Sequence, residues 1–177
     1  MLGVGNVLAG DDGLGPTVVR TLEATYAFPP GVALLDAGTP GFDLLALVAE
    51  LDALIVVDVL RQPGTPGELC CYSRDELLSL PPQAGGNAHV PHLREVLLAA
   101  ELRGCGPAHV ELVGAIAGRI APGTSLSPPL AAVLPRLVAE VVARLARIGI
   151  VTRERRERRA PDLFWQRSAQ AIVAQPS

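Results

Sequence analysis

The chain has 177 residues and a mass of 18.5 kDa, enough for one compact domain with a core of its own. With 49% hydrophobic and 19% charged residues and a mean hydropathy of +0.35, it is globular rather than disordered, and no uncharged apolar run of ~18 residues is present to span a bilayer. All 15 basic residues are arginine, which removes a Walker A lysine and a lysine Schiff base, and the body is acidic, with 9 Arg against 15 Asp and Glu over residues 1–151, which argues against a nucleic-acid groove.

No basic region precedes an apolar stretch at the N-terminus, so no secretory signal is expected and the cytoplasm is the default compartment. Gly3-Val4-Gly5-Asn6 ends a first strand that only Met1 and Leu2 precede. Asp11-Asp12-Gly13 leads to Gly15-Pro16 and to Val18, Val19, Leu22 and Ala24, a helix with proline in its first turn. Val32 to Leu35 reads as a short buried strand ended by Asp36-Ala37-Gly38-Thr39-Pro40-Gly41, a loop by its turn residues. Phe42, Leu44, Leu45, Val48 and Leu51 fall at helical spacing. The continuous apolar run from Ala53 to Val59, interrupted only by Asp58, is the pattern of a strand buried on both faces.

Further on, Glu68 to Ser73 predicts a strand that Cys70 and Cys71 flank as small apolar residues, since the three cysteines form no CxxC motif. A short helix over 75–80, a loop over 81–88, a helix over 91–103 and a strand over 109–116 follow. After the Pro/Gly/Ser loop at 121–129, Leu130 to Ile148 repeats apolar residues at helical spacing, with Pro135 inside or kinking the helix. Alternating strands and helices imply an α/β fold with three layers: a mostly parallel twisted sheet of about five strands with helices on both faces. Residues 1–151 make up this single domain. Residues 152–177, with 6 Arg against 3 acids, read as a flexible arginine-rich extension.

In such a sheet, ligands bind beyond the carboxyl ends of the strands, so polar residues there are candidates. These are Asp12 with its neighbour Asp11, Asp36, and Asp58, whose carboxylate at the end of an apolar run is costly unless hydrogen-bonded, paired or coordinated. Each also has a structural reading. Asp11 or Asp12 would cap the helix near Gly15, Asp36 would organise the Gly38-Thr39 turn, and Asp58 would serve the turn at Arg61-Gln62-Pro63. His89, in the Gly-rich approach to the 91–103 helix, is free to swing toward the same edge, whereas His92 and His109 read as ordinary surface histidines. The dinucleotide fingerprint fails because position 8 is Leu rather than a third glycine. Two carboxylates and an imidazole, Asp12, Asp58 and His89, suit a borderline divalent metal such as nickel or zinc.

Gly3-Val4-Gly5-Asn6-x-Leu8-x-x-Asp11-Asp12-Gly13-x-Gly15, then Asp36-x-Gly38-Thr39, Ile55-Val56-Val57-Asp58, and His89 ahead of Glu95-Val96-Leu97 resemble, in order over residues 2–150, the maturation endopeptidases of [NiFe] hydrogenases. The resemblance implies a phosphorylase/hydrolase-like α/β fold. It also implies an aspartic-type, nickel-dependent activity that removes a C-terminal peptide from the hydrogenase large-subunit precursor after nickel insertion. On this chain the family's metal-contacting and catalytic residues fall on Asp12, Asp58 and His89, and many members carry glutamate where Asp12 stands. Gly5, Asn6, Asp36, Gly38 and Thr39 match motifs with a substrate-side or structural role. Nickel would be contacted in the precursor, the one partner implied, with no tightly bound organic cofactor, no nucleic acid and no membrane span. The rival readings are a non-catalytic nickel-binding chaperone of the same fold and, more distantly, a nucleotide-binding module.

Overall fold

The computed structural model of the chain describes residues 1–39, 44–49, 51–79, 89–157 and 159–173, with backbone alone for 89–91 and 170–173. Its strands are β1 (Leu2–Val4), β2 (Tyr26–Ala27), β3 (Leu35–Gly38), β4 (Ala53–Leu60), β5 (Leu69–Ser73), β6 (His109–Ile116) and β7 (Arg153–Glu154). The helices are α1 (Leu14–Thr25), α2 (Leu44–Val48), α3 (Arg74–Ser79), α4 (His89–Leu102), α5 (Pro128–Arg147) and α6 (Phe164–Val173), and a 3₁₀ turn (Gly10–Gly13) precedes α1.

Five strands form one sheet in the order β3-β1-β4-β6-β5, parallel throughout except that β5 runs antiparallel to β6. The three-layer, mostly parallel α/β architecture read from the alternation of elements is therefore the observed one. Side chains alternate across β4: Leu54, Val56 and Leu60 join a cluster with Leu44 and Val48 of α2, Leu77 of α3 and Leu93, Val96 and Leu97 of α4. Ile55, Val57 and Val59 face the other way, into a cluster with Leu14, Val18 and Leu22 of α1 and Leu130, Val133, Leu137 and Val141 of α5. Cys70 and Cys71 divide likewise between the two clusters, as adjacent strand residues must.

The chain leaves β1 through α1 to build β3 on one side, then returns through α2 to build β4 on the other. β1 therefore stands where the direction of winding reverses, and the crevice at its carboxyl end is the place such a sheet offers a ligand. Backbones approach very closely there. A Cβ on Gly15 would lie 2.3 Å from the Val4 carbonyl oxygen and 2.5 Å from that of Val57, and one on Gly3 would lie 2.5 Å from the Gly15 oxygen. The close helix-to-strand packing assigned to the third glycine of a dinucleotide fingerprint is thus carried out by Gly15, further along the chain.

Three expectations shift. β3 begins at Leu35, not Val32, because its register is set by backbone pairing with β1, where the Leu35 N–H donates to the Met1 carbonyl at 3.0 Å, and not by the apolar run before it. Asp58 does not close its strand, since β4 continues through Val59 and Leu60. α5 runs unbroken past Pro135, which lies on the exposed side, where the Ala131 carbonyl it deprives of a partner faces water. The loop expected over 81–88 lies outside the described residues.

The charge run over 153–157 is exposed. Its backbone is nonetheless held, since β7 pairs antiparallel with β2 and the Arg155 N–H donates to the Thr25 carbonyl at 2.8 Å. Trp165 on α6 is 4% exposed. Among the described residues, no helix is long and apolar enough to cross a membrane.

Gly15→Val forces a branched side chain into contact with two strand carbonyls, and its expected cost is about 1–3 kcal/mol of stability. Urea unfolding should show a lower midpoint at an unchanged slope; an unchanged midpoint would contradict the close-packing assignment.

Candidate active site

Adjacent carboxylates in the turn after β1 do different things. Asp11 is fully buried and accepts four hydrogen bonds: from the Gly118 N–H at 2.8 Å, the Arg119 N–H at 2.5 Å, and the N–H and Oγ of Ser127 at 2.6 and 2.9 Å. These donors sit between β6 and α5, so Asp11 clamps that loop to the turn. Neither aspartate caps α1, whose N-cap is Gly13 with no side-chain bond. Asp12, only partly buried, turns back to β1, where its Oδ2 accepts the Asn6 N–H at 2.9 Å. Asn6 in turn accepts the Leu8 N–H on Oδ1 at 2.9 Å. Gly5 makes this hairpin-like return possible, with a φ of 138° and a notional Cβ only 1.8 Å from the Asp12 carbonyl oxygen.

Asp58 is 1% exposed in β4, and its Oδ1 accepts the Val59 N–H at 2.8 Å. Alternation aims its side chain to the face of Val56 and Leu60, which is the face that α2 and α4 cover. The 3₁₀ turn carrying Asp12 packs on β4, so the two carboxylates occupy neighbouring elements at the reversal of winding. His89 is not in a loop, as its glycine-rich surroundings suggested, but is the first residue of α4, one of the helices that cover that face. Its side chain lies outside the described residues. Among the described residues no three His, Cys, Asp or Glu side chains stand close enough to hold a metal ion.

Asp36 keeps its structural reading in the geometry. Its Oδ1 accepts the Gly38 N–H at 3.2 Å, closing the turn, and its Oδ2 faces the Arg20 guanidinium at 3.6 Å. Gly38 follows with a φ of 57°. These residues and the turn after β1 enclose a cleft of about 410 Å³ lined by Gly5, Asn6, Val7, Asp36, Ala37, Gly38 and Thr39. Its last wall is Phe164 of α6.

The remaining histidines stand elsewhere. His109, at the opposite end of β6, meets Glu111 at 2.8 Å, and Glu111 also pairs with Arg144. Burial tends to raise the Glu111 pKa, but the hydrogen bonds from Arg144 and His109 outweigh it and hold the carboxyl below its usual range. His92 lies in the first turn of α4 with Glu95 at 3.9 Å, its side chain 24% exposed. Sequence reasoning missed the clamp by Asp11, because nothing local distinguishes two adjacent aspartates. It missed Phe164 too, although the Phe164-Trp165 pair, beyond the charge run of a chain with six aromatic residues (Phe 3, Tyr 2, Trp 1), was a signal that the segment packs.

The family model described as HycI, hydrogenase maturation protease, matches residues 16–144. The hydrogenase 2 maturation protease of Escherichia coli K12 is 33% identical over 154 residues, covering 85% of this chain and 92% of that one. The hydrogenase expression/formation protein HupD of Rhodobacter capsulatus is 34% identical over 151 residues, covering 85% and 72%. Among solved structures, the hydrogenase maturating endopeptidase HybD from E. coli superposes with a TM-score of 0.82 at 32% identity, covering 87% of this chain and 95% of that one.

Asp11→Ala removes the acceptor of four hydrogen bonds from Gly118, Arg119 and Ser127 and is expected to cost about 2 kcal/mol or more. Denaturant unfolding of the variant measures it; a loss under about 1 kcal/mol would contradict the clamp.

Proposed function

Because the chain belongs to the hydrogenase maturation protease family, we propose that it is an endopeptidase that removes the C-terminal peptide of a [NiFe] hydrogenase large-subunit precursor once nickel has been inserted. The observation that carries this reading is the family match combined with two carboxylates, one partly open and one buried, on the turn and strand that flank the reversal of winding. The cytoplasm is the compartment of the proposal.

The reaction is hydrolysis of one peptide bond. Water adds to the carbonyl carbon, the carbon-nitrogen bond breaks, and the proton from water ends on the leaving amine. In the proposed arrangement Asp12, Asp58 and His89 contact the nickel that the precursor brings, which sets the scissile bond beside them. Nickel carried by the substrate supplies the Lewis-acid chemistry, polarising the carbonyl or acidifying the attacking water. The candidates to take the proton from that water are Asp12, which solvent reaches, and Asp58, buried in β4. Asp12 has an arm one methylene shorter than the glutamate common at this place in the family. The turn after β1 folds back over Gly5, so that Asp12 Oδ2 accepts the Asn6 N–H.

Incubation with nickel-loaded precursor, read by mass spectrometry, tests the reading. Asp58→Asn should lower processing by a factor of about 10³ or more, since it removes a charge that metal contact or base catalysis needs. Its fold should persist, because the amide oxygen still accepts the Val59 N–H. Normal cleavage by the variant would exclude the assignment. A nickel-free precursor should not be cut, and efficient cutting of it would remove the recognition step.

A further inference from the structure

The cleft beside Asp12 is finished by a residue from the far end of the chain. Phe164 is 48% exposed, unlike its neighbour Trp165 at 4%. The two rings meet edge to face, with centroids 5.2 Å apart and planes at 79°. Attachment of α6 does not need the open face of Phe164. The buried indole of Trp165 anchors the helix, and the Gln166 side-chain amide donates to the Thr124 carbonyl at 3.1 Å. Half a phenyl ring is thus turned toward a cleft of about 410 Å³ without a structural task.

Two of the polar side chains around it are partly committed within the protein. Asp36 accepts the Gly38 N–H and faces Arg20, which also pairs with Glu23 at 3.0 Å, and Asn6 Oδ1 holds the Leu8 N–H. An occupant of the cleft therefore meets backbone groups, the Asn6 amide and the Thr39 side chain on one side and an aromatic face on the other. That combination fits a peptide segment, whose amides suit the backbone lining and whose apolar side chain suits the ring. A free anion would leave the ring uncovered. The position also fits, since the lining residue Asn6 is the one bonded to Asp12.

Resting on the endopeptidase reading, we propose that Phe164 is a substrate-binding residue: its ring packs against an apolar side chain of the precursor's C-terminal peptide, next to the scissile bond. It acts on binding and not on the chemical step. Covering about half of one phenyl ring is worth roughly a factor of ten in affinity.

The test is steady-state processing of nickel-loaded precursor by the full chain, wild type, Phe164→Ala and Phe164→Leu, each first shown to be folded by circular dichroism. The expected result for Phe164→Ala is a KM raised about tenfold with kcat kept within about twofold, and Phe164→Leu should recover most of the loss. A second readout does not depend on cleavage. Trp165 is the chain's single tryptophan and touches Phe164, so a tryptophan-free synthetic peptide with the precursor's C-terminal sequence should change Trp165 emission in wild type and in Asp58→Asn. The same peptide should bind Phe164→Ala about tenfold more weakly. An unchanged KM in folded Phe164→Ala, or a fall in kcat alone, overturns the role of Phe164 while wild-type cleavage keeps the endopeptidase reading. Failure of wild type to cut the precursor overturns that reading instead, and an emission change that persists unaltered in Phe164→Ala overturns the contact.

Discussion

A single carboxylate with no solvent exposure holds the candidate site together. Ionised aspartate is tolerated at that depth only when hydrogen bonds replace its lost hydration, and Asp11 receives four of them from the loop between β6 and α5. The surrounding backbone repeats the tie, with the Gly10 N–H bonded to the Gly123 carbonyl and the Gly123 N–H to that of Leu8. Two segments more than a hundred residues apart, whose strands have only β4 between them, are fixed to each other by these bonds. The neighbouring Asp12 is thereby given a defined direction without having to secure its own turn.

The different directions of these two acids, one residue apart, are made possible by glycine. Gly15 lets α1 lie against β1 and β4 at backbone distance, and Gly5 lets the chain double back so that Asp12 reaches the Asn6 amide. Neither contact would survive a Cβ. The winding order β3-β1-β4 then puts the turn at the crevice where the sheet has room for an occupant, and the strand bearing Asp58 is its immediate neighbour.

Much of this was legible from residue order alone, and the exceptions have physical causes. β4 and β6 were read to within a residue because strands buried on both faces must be continuously apolar, and α5 was clear from its stripe. β3 was misplaced by three residues, since an edge strand with Leu35 at 40% exposure has no burial pattern to mark it and takes its register from its partner. Asp58 stood out through the cost of burying charge, which a sequence displays directly. The separate tasks of Asp11 and Asp12 did not, because that of Asp11 depends on donors more than a hundred residues away. Phe164 belongs to the same class, since its meaning comes from where α6 docks and not from any local period.

The long-range closures at β2 and β7 and at α6 have a consequence for how the molecule comes into being. Residues 26–27 find partners at 153–154, and the cleft beside residues 5–7 gets its last wall from residue 164. A nascent chain emerging N-terminus first carries both aspartates before that wall has been made. The recess is thus unfinished in any intermediate that lacks α6, and residues 5–7 then border an open crevice.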